Sequence, residues 1–134
     1  MGADGELVRR LTDEVFLGGE LGALDQIVAA NFVSHDPPPG FGGDREGLRG
    51  VAGLVDRAFS DRTMDFDDLV ETADGRVLEN WAMLATHSGE AFGIPPSNQK
   101  VRVRGMELWR CADGRIVEHW GTVDMSDLFA RAQS

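Results

Sequence analysis

The chain has 134 residues, with 13 Lys and Arg against 23 Asp and Glu and a formal net charge of −10. That length suits one domain spanning 1–134 and not two, since domains run to about 100–200 residues. One lysine, Lys100, and twelve scattered arginines argue against a nucleic-acid partner or an anionic membrane surface, both of which draw on clustered cations.

The start, Met-Gly-Ala-Asp-Gly-Glu, lacks a basic stretch followed by an apolar run, and no apolar run nears the roughly 18 residues of a membrane helix. A soluble cytoplasmic protein is expected. From Gly5 to Leu17 the residues Leu7, Val8, Leu11, Val15 and Phe16 fall on one helical face, with Arg9, Arg10, Asp13 and Glu14 on the other; Gly18-Gly19 ends the helix. A second helix is expected over Leu21 to Ala30. Phe32 to Asp36 reads as a short extended piece, able to add an edge strand and halted by Pro37-Pro38-Pro39-Gly40. Asp44 is a good N-cap for a third helix, whose stripe is Leu48, Val51, Leu54, Val55 and Phe59. Beyond Thr63 the pattern changes to strands. Met64 to Thr72 and Arg76 to His87 flank one Ala-Asp-Gly turn, and Lys100 to Cys111 and Arg115 to Val123 flank another. Gly89 to Gln99 forms an irregular loop at the sheet rim, and a short helix, Ser126 to Ala132, closes the chain. The expectation is an α+β fold: a curved antiparallel sheet with the N-terminal helices packed over its concave face. A chain of this size holds one modest core, so any cavity lies between that sheet and those helices. Cys111, the single cysteine, permits no internal disulfide and reads as structural.

Hairpin register decides which polar residues share a face. A two-residue Asp113-Gly114 turn sets Glu107 opposite Trp120 and turns His119 to the other side. A three-residue loop, Ala112-Asp113-Gly114, pairs Glu107 with His119, Gly105 with Gly121 and Trp109 with Val117. The hydrophobic pattern favours the latter, gathering Val101, Val103, Trp109, Val117 and Val123 around Glu107 and His119. On the preceding strand Trp81, Met83 and His87 share the inward parity. Trp81, Met83, His87, Glu107 and His119 are therefore expected in one apolar concavity, where a buried carboxylate beside an imidazole suits general acid or base work. His35 is a candidate for the cavity mouth, and Asp124 either lines the site or caps the last helix. The opposite face, with Ala82, Leu84, Met106, Leu108, Ile116 and Trp120, is too apolar for a solvated sheet, so a homodimer through it is expected. Three histidines without ligand spacing give no support for a metal, and no nucleotide or nucleophile motif occurs.

Four segments in order, Phe32 to Gly40, Gly93 to Ser97, Arg104 to Arg110 and Asp113 to Trp120, resemble the SnoaL-like polyketide (ester) cyclases over nearly the whole chain. The resemblance implies the nuclear-transport-factor-like cone, oligomeric, with a cofactor-free intramolecular aldol closure in which an aspartate on the last strand exchanges the carbon proton. It also implies that His119 matches a family histidine and that His87 aligns with a pocket-side histidine. Gly121 stands where the family has its catalytic aspartate, Glu107 where it has a histidine and Gly105 where it has a glutamine. Catalysis is accordingly expected from Glu107 as base with His119 as partner, on an apolar or aromatic small molecule held by His35, Trp81, Met83, His87, Trp109, Gly121 and Asp124, with room for a ring above Gly105 and Gly121. Two alternatives stand beside it: a non-catalytic binding protein for a hydrophobic ligand, and an epoxide hydrolase-like enzyme, against which Arg102, Arg104 and Arg110 fall on the wrong parity.

Overall fold

The computed structural model describes residues 1–132. A helical run opens the chain as α1 (Ala3–Arg10) and continues as a wider π-helical segment, Leu11–Leu17. A 3-10 turn at Leu21–Ala23 leads into α2 (Leu24–Ile27), then β1 (Val28–Ser34), α3 (Arg45–Ala58), β2 (Phe59–Glu71), β3 (Arg76–His87), β4 (Lys100–Ala112), β5 (Arg115–Asp124) and α4 (Ser126–Ala132). The five strands form one mixed sheet in the order β1-β5-β4-β3-β2, antiparallel except where β1 runs parallel to β5. The α+β class and the helix-covered sheet match the expectation. None of the helices described is long and apolar enough to cross a membrane.

Two boundaries differ from the sequence reading, each for a physical reason. The second helix stops at Ile27, and Val28 to Ala30 are strand, because pairing with β5 (Val28 with Ile116, Ser34 with His119) outweighs modest helix preference. β2 begins at Phe59, five residues before Met64. Its first turn is hidden in sequence by a bulge in which Asp61 takes φ 53° while Arg62 donates to the carbonyls of Phe59 and Leu17. In α3, Asp44 does cap, its Oδ1 accepting the Gly47 N–H at 2.8 Å, which stabilises the helix by about 1 kcal/mol.

The second hairpin corrects the register more deeply. Its turn is the two-residue Asp113-Gly114, with φ of 52° and 74° and Ala112 opposite Arg115, so the three-residue loop is overturned. One extra residue, Val117, then bulges from β5 between the Cys111–Ile116 and Arg110–Glu118 pairs. The bulge restores the parity that the turn alone would lose. Glu107 faces Gly121, Trp109 faces His119 and Gly105 faces Val123, so Glu107 and His119 share the inner face as diagonal neighbours, not as a direct pair. Ile116, assigned to the outer face, is fully buried in the core beside Trp109, and Val117 takes the half-buried bulge position.

The buried apolar residues fall into two clusters. One joins Val8, Leu11, Val15, Ile27 and Phe32 to Val77, Trp109 and Ile116; the other joins Phe59, Met83, Val101, Val103 and Leu128. Each large side chain so buried contributes about 1.5–3 kcal/mol. The α3 stripe of Leu48, Val51, Leu54 and Val55 is only half-buried, because it faces a cavity.

Candidate active site

The cavity, about 380 Å³, lies between α3, the π-helical segment and the inner faces of β2 to β5. Most of its wall is apolar, and the sheet side carries Glu79, Trp81, Glu107, Trp109 and His119. Alternation puts Glu79 on β3 directly across from Glu107 on β4, with Trp81 across from Gly105 and Val77 across from Trp109. The two carboxyls splay along opposite diagonals, each meeting the indole of the other strand. Glu107 Oε2 accepts the Trp81 Nε1–H at 2.8 Å, and Glu79 Oε1 accepts the Trp109 Nε1–H at 3.1 Å.

Both glycines in this patch are required by those contacts. A Cβ on Gly105 would stand 2.5 Å from the Trp81 ring, so glycine is what lets the indole lie over β4 and reach Glu107. A Cβ on Gly121 would stand 2.1 Å from Glu107 Oε1 and 2.8 Å from His119 Nε2. The ring-sized space expected above the two glycines is thus filled by Trp81 and by the Glu107 carboxylate.

Glu107 Oε1 lies 2.7 Å from His119 Nε2, and both residues are 8% exposed, at the cavity wall. Indole N–H only donates, so Oε2 is always an acceptor and any proton the pair exchanges sits between Oε1 and Nε2. On its far side His119 Nδ1 meets Ser34 Oγ at 2.8 Å, a contact delivered by the parallel β1–β5 pairing, and Ser34 Oγ also accepts the Asp36 N–H at 3.3 Å. The Trp109 ring lies 4.3 Å from the His119 ring at 38°. Asp36 turns back to the site, its Oδ2 accepting the Gly121 N–H at 2.9 Å. The arrangement can take a proton from, or return one to, a molecule resting against the sheet.

Glu79 is a second cavity-wall carboxyl, 3% exposed, and also accepts from the Thr12 hydroxyl at 2.7 Å. Burial first, and then the neighbouring Asp67 carboxylate, push its pKa up to about 8. Asp67 is held by Arg9 at 2.8 Å through Oδ2, while its buried Oδ1 meets no N–H donor. The raised pKa favours the acid form of Glu79 at neutral pH, next to the Asp67–Arg9 ion pair.

Of the residues expected at the site, Trp81, Met83, Glu107, Trp109, His119 and Gly121 line the cavity. Three do not. His35 points outward, stacked on Trp120 at 5.0 Å and bonded to Glu118 at 2.6 Å; alternation in β1 and its continuation sends Ser34 inward instead. His87 is fully buried against Phe59 with Ser97 at its Nδ1, beyond the end of the cavity. Asp124 accepts the Ser126 N–H at 2.9 Å, at the start of α4. Glu79, Thr12, Ser34 and Asp36 are the members the sequence reading missed or passed over. Glu79 was legible, sharing the parity of Val77 and Trp81; Ser34 was not, because its role depends on a parallel pairing across 85 residues. No group of three or more His, Cys, Asp or Glu among the described residues is placed to hold a metal ion.

A helix-covered sheet around an apolar cavity, with a hydrogen-bonded carboxylate and imidazole on its wall, defines a cone-type α+β domain with an internal pocket. The SnoaL-like polyketide cyclase family profile matches residues 6–131. IdmH of Streptomyces antibioticus, described as a candidate polyketide cyclase, is 30% identical with a TM-score of 0.80, covering 98% of this chain and 99% of that one. A candidate polyketide cyclase from Acidithiobacillus ferrooxidans superposes with a TM-score of 0.83 at 23% identity over 98% and 95% of the chains. AclR of Streptomyces galilaeus, described as a candidate hydroxylase, superposes at 0.78 with 22% identity over 97% and 80%. No curated protein matches the chain. The chain belongs to the SnoaL-like polyketide cyclase family.

Proposed function

We propose that this protein is a cofactor-independent lyase or isomerase of the cyclase type, acting on an apolar, ring-bearing small molecule in the cavity. Glu107 is the base that removes a proton from carbon, and His119 shares and returns that proton or bonds the enolate oxygen. What carries the reading is that Glu107 Oε1 stands 2.1 Å from the Cβ position of residue 121. Seen against the resemblance to the cyclases, a carboxylate is supplied from β4 to the place where the family's aspartate begins on β5. The experiment is deuterium uptake in D2O at the acidic carbon of aromatic 1,3-diketones, followed by NMR. The wild-type protein accelerates uptake, and Glu107→Gln loses at least about 100-fold of that acceleration; full uptake by the variant would sink the assignment.

A non-catalytic binding role has one observation in its favour: both Glu107 oxygens and both His119 nitrogens already have partners. Binding of the same diketones without exchange would support it. An epoxide hydrolase is disfavoured, since Arg102 and Arg104 lie over the Phe66 ring and Arg110 bonds Glu118 on the outer face. We further propose that residues 1–134 form one domain, of which the last two lie outside the described residues, and that a homodimer forms through the outer sheet face. Leu84 and Met106, 36% and 41% exposed there, support the dimer. Sedimentation of Met106→Glu as a monomer, beside a wild-type dimer, is its test.

A further inference from the structure

The cavity wall carries two carboxyls in one strand pair, and their partners differ in a way that divides their roles. Glu79 on β3 faces Glu107 on β4 directly, so their Cβ atoms lie about 5 Å apart and a molecule lying across the two strands can touch both. Glu107 has an indole N–H and an imidazole on its oxygens, the partners that a charged carboxylate takes. Glu79 has the Trp109 N–H, the Thr12 hydroxyl from the π-helical segment and the Asp67 carboxylate of β2 as neighbours. Among the described residues no cation bonds it, since Arg9 of α1 is committed to Asp67. Most polar hydrogens on the wall are committed too: both indole N–H groups to the carboxyls, His119 Nε2 to Glu107 and Ser34 Oγ to His119 Nδ1, while Thr122 offers a hydroxyl only on the exposed end of β5. Glu79 and Thr12 are different. Glu79 Oε1 accepts from an indole, which only donates, so an acid hydrogen belongs on Oε2, 2.7 Å from Thr12 Oγ1. Acid and hydroxyl then bring two hydrogens to one contact, and one is left to give to a further oxygen. Burial and Asp67 together keep the acid form up to about pH 8.

We propose that Glu79, as the carboxylic acid and oriented by Thr12, is a further catalytic residue that donates a hydrogen bond to the ligand oxygen on which charge gathers while Glu107 takes the proton from carbon. This rests on the cavity being the ligand site and Glu107 the base, as in the function proposed above, and it leaves His119 to the proton of Glu107. The step balances. The C–H bond breaks to Glu107, its electron pair forms the enolate double bond, and the carbonyl pair moves onto the oxygen held by Glu79. Return of the proton from Glu107 or His119 to carbon restores every group. Glu79 shares its hydrogen and does not surrender it, because a second negative charge beside Asp67 is opposed.

The test reads that contact by infrared difference spectroscopy of 2-acetonaphthone, labelled with ¹³C at its carbonyl and bound to the full chain, beside the diketone exchange assay. On the wild-type protein the carbonyl band should lie at lower frequency at about pH 6 than at about pH 9.5, where the acid has lost its hydrogen. In Glu79→Gln the band should no longer move with pH, and in Thr12→Val, which keeps the acid, it should still move. Glu79→Gln should also lose about tenfold or more in exchange turnover with half-saturation within a few-fold, and the fall of wild-type exchange above about pH 8 should disappear. A wild-type band that ignores pH, or a probe that does not bind, overturns the proposal. Exchange that depends on Glu107 but is the same in Glu79→Gln overturns it as well and leaves the base in place. If the band moves as expected while no diketone exchanges, the reading of Glu107 as base fails and the contact of Glu79 with the ligand oxygen stands.

Discussion

Gly121→Ala is the most direct test of how the site is built. Gly121 has no positive φ, so alanine costs nothing in backbone strain and its effect is purely one of space. The added Cβ would lie 2.1 Å from Glu107 Oε1, 2.8 Å from His119 Nε2 and 3.0 Å from the Met106 carbonyl oxygen. The carbonyl belongs to the β4 ladder and holds its place, so the carboxylate must move by more than 1 Å. That movement breaks bonds of 2.7 Å to His119 and 2.8 Å to Trp81. Hydrogen bonds to a charged acceptor are each worth about 1.5–3 kcal/mol, of which water in the cavity returns a part. A net destabilisation of about 1–3 kcal/mol follows, which is a fall in Tm of roughly 3–10 °C for a chain of this length. The decisive form is a double-mutant cycle with Glu107→Ala, read by urea unfolding. Once the carboxylate is gone the new Cβ has room, so Gly121→Ala should cost at least about 1 kcal/mol less in that background. Additive costs would refute the claim that Glu107 occupies the space of residue 121.

Gly105→Ala forces the Trp81 ring off β4, because its Cβ would be 2.5 Å from the indole; a red-shifted, more quenchable tryptophan emission and a loss of about 1–3 kcal/mol are expected. Glu79 predicts a pH dependence whose sign is set by its pKa, raised from 4.5 to about 8. The folded state binds the extra proton, so this stabilisation is complete below about pH 4.5 and is lost as pH rises through about 8. Urea midpoints at pH 5.5 and 8.5 should show a loss of a few kcal/mol that Glu79→Gln largely abolishes; an unchanged pH slope in the variant would put the proton elsewhere. Ser34→Ala removes the partner of His119 Nδ1 at 2.8 Å and should leave the fold intact while changing the ¹⁵N shifts of His119 and moving the pH profile of exchange; unaltered shifts would deny Ser34 a positioning role.

How much of this was legible in the sequence follows from which interactions are local. The strands β3, β4 and β5 announce themselves because alternation and Asp-Gly turns act within a dozen residues, and the stripe of α3 is read from a 3.6-residue period that ignores everything distant. Parity also placed Glu107 and His119 on the inner face, though through a loop that does not exist. The actual hairpin combines a tighter turn with the Val117 bulge, and the two departures cancel in parity while shifting the partner by two residues. Periodicity is blind to such cancelling changes, since it reports which face a residue is on and not which residue it meets. The same limit hid the meaning of the two glycines. In sequence they suggest empty space, whereas each is a place where a side chain from the neighbouring strand lies down, Trp81 over Gly105 and Glu107 against Gly121. His35 and Ser34 show the limit at an edge. Without knowing that β1 joins β5 in parallel, a histidine beside a proline turn looks like the functional residue and the serine before it like filler. The pairing of Ser34 with His119 inverts that ranking, and the inversion sharpens the chemistry: the imidazole is gripped at both nitrogens, by a hydroxyl from the edge strand and a carboxylate from the centre of the sheet. A group held so firmly moves a proton with little rearrangement, which is what the proposed proton transfer asks of it.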